Sequence, residues 1–395
     1  MSQSRANQSD ASLARVRLPA LVVGVAGLAA CAAGAFLEPA VFFQSYLFAF
    51  IFWLGIALGS LAIVMLYHLV GGAWGFPVRR PLEAAAMTLP LLALLFVPLL
   101  FGLPYLYEWV RPDAVAADAL LRHKQPYLNV PFFVGRAALY FALWIGAAYL
   151  LSRWSLRQDH DDDPRLAKRM RDLSRFGLVF YMLTVTFASI DWVMSIEPRW
   201  YSTIYGLIYV AGQGLAGFSI AIISAALLSR RGPLAEVVTQ DTFGDLGGLL
   251  MTFVMFWAYV ALSQFLLIWS GNLPEEVVWY DHRNHGGWQW LILLVVLFQF
   301  AGPFLLLLAR SFRRTDWSLA ILAGAILLVH LADLFWLVVP PFRPSGISIH
   351  WLDVAAPLGI GGVWVAGYAW LLARRPLLAR HDPRNPALQT AAEQG

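Results

Sequence analysis

A single cysteine, Cys31, serves a chain of 395 residues, so an internal disulfide, a thiolate-held cluster and a CxxCH haem attachment are excluded. Charge is also scarce. Asp, Glu, Lys and Arg make up 13% of the residues against 59% hydrophobic, where a soluble domain carries roughly 25% charge. The balance excludes an ordinary soluble globule and leaves an all-α polytopic membrane protein. A net charge of +4 does not imply nucleic acid, because the basic residues sit in short stretches between apolar runs, where they set topology. Histidines inside the apolar runs are few. His68 near one end of a run and His330 near the middle of another give no depth-matched pair, so no bound haem is expected. The stretch DHRNH, with Asp281, His282 and His285, reads as surface or interface rather than a metal site.

What the chain has in abundance is runs of about 20 apolar residues, the length of one membrane crossing. Ten are expected: residues 19–37, 42–68, 82–106, 131–152, 175–197, 203–229, 246–270, 287–309, 317–338 and 352–373. They form one transmembrane domain, 19–373, between tails 1–18 and 374–395. Most Lys and Arg outside the runs fall in the two tails and every second loop, which predicts that both termini are cytoplasmic. The acidic cluster Asp159, Asp161, Asp162 and Asp163 within the most basic loop reads as a solvated face. Leu28-Ala29-Ala30-Cys31 resembles a lipoprotein cleavage box, but its plain reading is a first helix continuing to Leu37. Prolines 90, 98 and 104 in the third run and 303 in the eighth predict kinks. Trp and Tyr are concentrated near the outer ends, which fits an interfacial belt or a docking surface.

Three polar signals lie inside the runs. Asp191 sits in YMLTVTFASIDWVMSIEP (181–198), where a charge at membrane depth costs ~2.5–3.5 kcal/mol on insertion scales. Tyr181, Thr184, Asp191 and Ser195 share one helical face. Arg136 on the preceding, antiparallel run lies at the same depth, ~8–9 Å below the outer surface at about 1.5 Å per residue, so an ion pair is expected. Its plain reading is mutual neutralisation; its functional reading is a proton path or a contact to a polar headgroup. His330 and Asp333, three residues apart in the ninth run, face one way and suit a proton relay. Thr252, Tyr259 and Ser263 share a face of the seventh run, with interhelical hydrogen bonding as the expected role; Gln213 and Gln299 read the same way.

Several blocks also resemble a known family. HLVGGAWG followed by Arg79-Arg80-Pro81-Leu82-Glu83, then FASIDWVMSIEPRWYSTIYG (187–206), FWAYVALSQFLLIWSGNLPEE (256–276) and HLADLFW (330–336) are similar to the F subunit of bacterial alternative complex III. That complex is a quinol:electron-acceptor oxidoreductase, and the subunit is of the NrfD-like, polysulfide-reductase type. The resemblance spans about residues 40–370. It implies two four-helix bundles, runs two to five and six to nine, flanked by the first and tenth, in a bacterial inner membrane. It further implies iron-sulfur and c-type cytochrome subunits on the outer face, carrying the clusters and haem c, and a second NrfD-like membrane subunit that is the better candidate for the quinol site. This chain would then hold no cofactor, contact lipid, and supply scaffold, proton path and an optional quinone contact through Asp191, Arg136, His330 and Asp333. An ion-coupled secondary transporter and a purely structural anchor are the competing readings of the same buried charges.

Overall fold

The structure, a computed structural model, describes residues 2–161, 163–230, 233–379 and 382. Asp162 and the 374–395 tail beyond Ala379, Asp382 excepted, lie outside the described residues. No strand occurs among the described residues. Ten helices are long and apolar enough to cross a membrane: α1 (Ala14–Leu37), α2 (Pro39–Val70), α3 (Gly75–Phe101), α4 (Val130–Gln158), α5 (Pro164–Ile196), α6 (Tyr205–Leu228), α7 (Gln240–Gly271), α8 (Trp288–Leu308), α9 (Asp316–Val338) and α10 (Trp351–Ala373). The chain is therefore an all-helical protein of polytopic membrane type. The first helix runs back unbroken to Ser2, where a tail is expected from sequence, and Cys31 is buried within it.

Helices α2 and α6 are the most enclosed spans and pack on each other at the centre. Their backbones touch where side chains are missing. A Cβ on Gly59 would lie 1.8 Å from the carbonyl oxygen of Gln213, and one on Gly217 would lie 2.7 Å from the carbonyl carbon of Gly59. Small residues permit such approach between apolar helices, where dispersion replaces the hydrophobic drive. Helices α3 and α5 pack on α2, with α4 against both; α7 and α9 pack on α6, with α8 against both; α1 and α10 pair beside α2. Outside, Phe176, Phe180, Leu262, Leu297 and Leu305 are exposed, as an apolar surrounding requires.

The irregularities follow local chemistry. Helix α3 pauses at Met87–Thr88, just before Pro90 at the start of its second half, and stops at Gly102 ahead of Pro104. In α8 the backbone opens into a π turn, Val296–Ala301. Pro303 lacks an N–H and its ring crowds the carbonyl four residues back, that of Gln299, so the turn widens there.

One end of the bundle collects a dense group of tryptophans. Trp109, Trp192, Trp200, Trp279, Trp288 and Trp336 are buried, with Trp200 stacked on Trp279 at 4.8 Å. These rings are core; Tyr201, Trp269 and Trp290 are among the exposed ones. The loops here are clasped together. Arg199 bonds Glu108 at 3.0 Å and Asp118 at 2.8 Å, and Arg283 bonds Glu197 at 2.9 Å and the carbonyl of Leu337 at 3.1 Å. The backbone N–H of Leu120, with help from Arg199, holds the Asp118 carboxyl below its ordinary range. A depressed carboxyl adds its stability above the unfolded pKa, so this clasp weakens only as pH falls through the lower folded value.

Replacing Gly59 with Val forces the central helices apart. A loss of ~3 kcal/mol or more is expected, read as a lower unfolding midpoint in detergent, whereas Gly146→Val, with nothing within 4 Å of its Cβ position, leaves the midpoint nearly unchanged.

Candidate functional site

The first buried site forms between α4 and α5. Asn129 caps α4 through the N–H of Phe132 at 2.9 Å, and Pro131 sits in the opening turn, which fixes Arg136 less than two turns inside the span. The α-helical part of α5 ends at Trp192. The Ser195 hydroxyl then donates to the Asp191 carbonyl at 2.6 Å and Trp109 donates to Ser195 at 3.3 Å, so the helix end is closed. Arg136 reaches Asp191 with two parallel bonds, Nε to Oδ2 at 2.8 Å and Nη2 to Oδ1 at 2.9 Å. Tyr140 donates a third bond to Oδ2 at 2.8 Å. The remaining Nη1 donates to the carbonyl of Tyr127 at 3.1 Å, and the guanidinium lies 3.9 Å from the Tyr127 ring centroid and 4.2 Å from that of Phe132. Asp191 is 0% exposed. The forked geometry is the strong form of this contact, and it leaves neither carboxylate oxygen unbonded.

Lower on α5, Tyr181 donates to Gln213 on α6 at 2.6 Å, and Thr184 accepts from Trp144 on α4 at 2.8 Å. These two members of the Tyr181–Ser195 face are therefore interhelical ties.

The second site gathers α7, α8 and α9. Asp333 Oδ2 accepts from Trp257 Nε1 at 3.1 Å and Gln299 Nε2 at 3.2 Å, while His330 Nδ1 stands 3.5 Å away and makes no hydrogen bond. The π turn in α8 carries Gln299 at this position, and its Oε1 has no partner. Gly212 on α6 leaves room for the imidazole, since a Cβ there would lie 2.4 Å from His330 Cε1. Asp333 is 3% exposed, and among the described residues no Lys or Arg forms an ion pair with it.

Beside Asp333 a cavity of about 500 Å³ opens between α7, α8 and α9, walled by Trp257, Phe300, Phe304 and Trp336, with Tyr259, Gln264 and Tyr280 among its polar groups. Met255, Tyr259 and Leu262 on its α7 wall are exposed on the outside of the bundle, so the cavity faces the apolar surroundings. A mostly apolar hollow with few polar groups is the usual form of a small-molecule site.

The stripe Thr252, Tyr259 and Ser263 differs from expectation. Thr252 bonds its own helix, at the Gly248 carbonyl, and Tyr259 is 68% exposed. The packed face of α7 is Leu246, Leu250, Trp257, Gln264 and Ile268, roughly opposite on a 3.6-residue period. Bulk, not polarity, chose the inward side.

A third cluster was missed by sequence reasoning. Arg79 and Arg80 serve there as markers of topology, yet both are buried with Glu83. Arg79 bonds Glu83 at 2.9 Å and Ser155 at 2.8 Å; Arg80 bonds Glu83 at 3.0 Å and also Asp159. Asp382 closes the group on Arg79. Asp159 therefore corrects the solvated-face reading: at 6% exposure it is a buried counter-ion, while Asp161 stays outside on Arg157. The available signal was the Arg79–Glu83 and Arg80–Glu83 spacing, four and three residues on one helical face. Among the described residues no cluster of three or more His, Cys, Asp or Glu forms a candidate metal site. No family model matches the chain, and no curated protein matches it.

The two carboxylates should respond differently to amidation. Asp191→Asn strands a buried guanidinium and is expected to cost ~3–5 kcal/mol, much of it recovered in the Arg136→Gln background. Asp333→Asn, with no permanent cation to strand, should cost well under half as much. Unfolding midpoints of the four variants check this, and additive losses at 136 and 191 would refute the coupling.

Proposed function

We propose that this chain is the membrane subunit of a respiratory quinol:electron-acceptor oxidoreductase of the alternative complex III type, in a bacterial inner membrane with both termini cytoplasmic. The observation that carries the reading is the cavity beside Asp333, together with the family resemblance. Its aromatic walls suit a quinone ring, its opening toward the apolar surroundings suits a substrate dissolved in the bilayer, and its polar groups suit a pair of ring oxygens.

Oxidation of a quinol releases two electrons and two protons. The electrons pass to an iron-sulfur cluster and haem c in partner subunits on the outer face, so this chain needs no redox centre. Its own task is the proton. Asp333 lies at the wall, within reach of a hydroxyl in the cavity, and His330 behind it supplies a second proton-holding group. Trp257 and Gln299 aim the carboxylate, since both donate to the same oxygen and leave the other for a ligand.

Arg136 and Asp191 take a different part in this reading. Accepting a proton at Asp191 disrupts three charge-assisted bonds, so the pair acts as a tether that keeps α4 and α5 in register. The scaffold role and the proton role thus fall to different carboxylates.

Two variants test the proposal together. Asp333→Asn and Ala261→Trp, the latter filling the cavity without touching a polar group, are each expected to lower quinol-dependent electron transfer at least tenfold while the chain still co-purifies with haem c and iron-sulfur polypeptides. Normal rates in both would refute the site. Purification of the wild-type chain alone, without those polypeptides, would favour the transporter reading.

A further inference from the structure

We propose that Arg310, Arg313 and Arg314 form a binding site for the phosphate of an anionic lipid headgroup, at the end of the bundle opposite the aromatic loops. Nothing in this site depends on the quinol reading.

The chain leaves α8 at Ala309, where ψ of 111° ends the helix, and makes a single turn, Arg310–Arg313. Spacing of three and four residues then puts Arg310 beside Arg313 and Arg314. This turn packs on α7, whose glycines leave a groove for the arginine stems. A Cβ on Gly247 would lie 3.1 Å from Arg313 Cγ, one on Gly248 3.5 Å from Arg313 Nη1, and one on Gly244 3.4 Å from Arg314 Cγ.

Internal partners do not account for the charge. Arg314 pairs with Asp241, but Arg310 and Arg313 have no acidic partner among the described residues, and Arg313 Nε is buried without an acceptor. Arginine stems at a membrane face lie along apolar surface with the charged head turned to water, but they are commonly free to change rotamer. Arg313 instead lies fixed along α7, so part of the ordering cost of binding is met before a ligand arrives. Guanidinium forks match phosphate oxygens in pairs. The level is right for a headgroup as well. The site follows directly on the apolar run of α8, and the adjoining start of α9 presents Trp317, with the Arg230 guanidinium 4.5 Å from its ring centroid, an arrangement of the membrane interface.

The test uses the full chain, purified with the polypeptides that accompany it and placed in phosphatidylcholine nanodiscs titrated with phosphatidylglycerol. Arg310→Gln/Arg313→Gln is expected to weaken phosphatidylglycerol retention roughly 25-fold, about fivefold per arginine. Lys168→Gln/Arg171→Gln, which removes the same charge from exposed positions at the same end, should keep it. Gly247→Val, which changes no charge but crowds Arg313, should weaken retention while the unfolding midpoint in phosphatidylcholine alone stays near wild type. Unaltered retention in the Arg310/Arg313 variant, or equal weakening in both charge variants, would overturn the site. Displacement of phosphatidylglycerol by inorganic phosphate at equal concentration would overturn the lipid assignment in favour of the free anion.

Discussion

The backbone contact of α2 with α6 at Gly59, Gln213 and Gly217 is the constraint on which the rest of the structure depends. Each of these helices is surrounded by protein on nearly all sides, so each must bury whatever polar groups it carries. With backbones this close, side chains beside the crossing are held at fixed separations. Gln213 uses that precision: its carbonyl backs onto Gly59 while its side chain accepts from Tyr181 on α5. Gly212, one position earlier, opens the space taken by His330 on α9. One crossing thus positions a residue on each side of the molecule, and a displacement of the central pair moves both.

Around that centre the bundle handles charge by two rules. Three buried groups are closed by opposite charge: Arg136 with Asp191, Arg79 and Arg80 with Glu83, Asp159 and Asp382, and Arg343 with Asp353, which also accepts from Ser45 at 2.6 Å. Each joins segments from different parts of the chain, and each carries the heavy desolvation cost of buried ions, offset only by near-complete bonding. The His330–Asp333 site follows the other rule. It is built from neutral donors and a titratable ring, and it retains unpaired atoms at His330 Nδ1 and Gln299 Oε1.

Much of this was legible in the sequence, for identifiable reasons. Apolar runs of span length are hard to mistake because hydrocarbon leaves a helix no alternative partner for its backbone, and all ten appear, though α5 begins at Pro164 rather than 175 and α3 at Gly75 rather than 82. Arg136 and Asp191 could be matched because depth on consecutive antiparallel helices follows from counting residues. The Arg79–Asp382 contact could not, since it joins positions 303 apart in sequence. The direction faced by α7 was equally hidden: its polar residues suggest one inward face, while Trp257 and Gln264 supply the other. The cavity depends on the π turn, a backbone event whose only trace is Gly302-Pro303 after Gln299.

The contrast between Asp191 and Asp333 bears most directly on what the molecule does. Both sit on the last helix of their group of four, both are almost wholly enclosed, and both accept from a tyrosine or tryptophan of a neighbouring helix. Asp191 adds a guanidinium, whose fork together with the Tyr140 hydroxyl ties the carboxylate into three bonds. Asp333 has an amide in the corresponding role, because the π turn of α8 presents Gln299. An amide donates a hydrogen bond without fixing a charge, and the imidazole beside the carboxyl keeps its Nδ1 without a partner. The same irregular turn that orients the carboxyl also carries Phe300 into the cavity wall. Proline at 303 therefore does more than bend a helix: by widening one turn it places a neutral partner on the acid and an aromatic side beside the cavity.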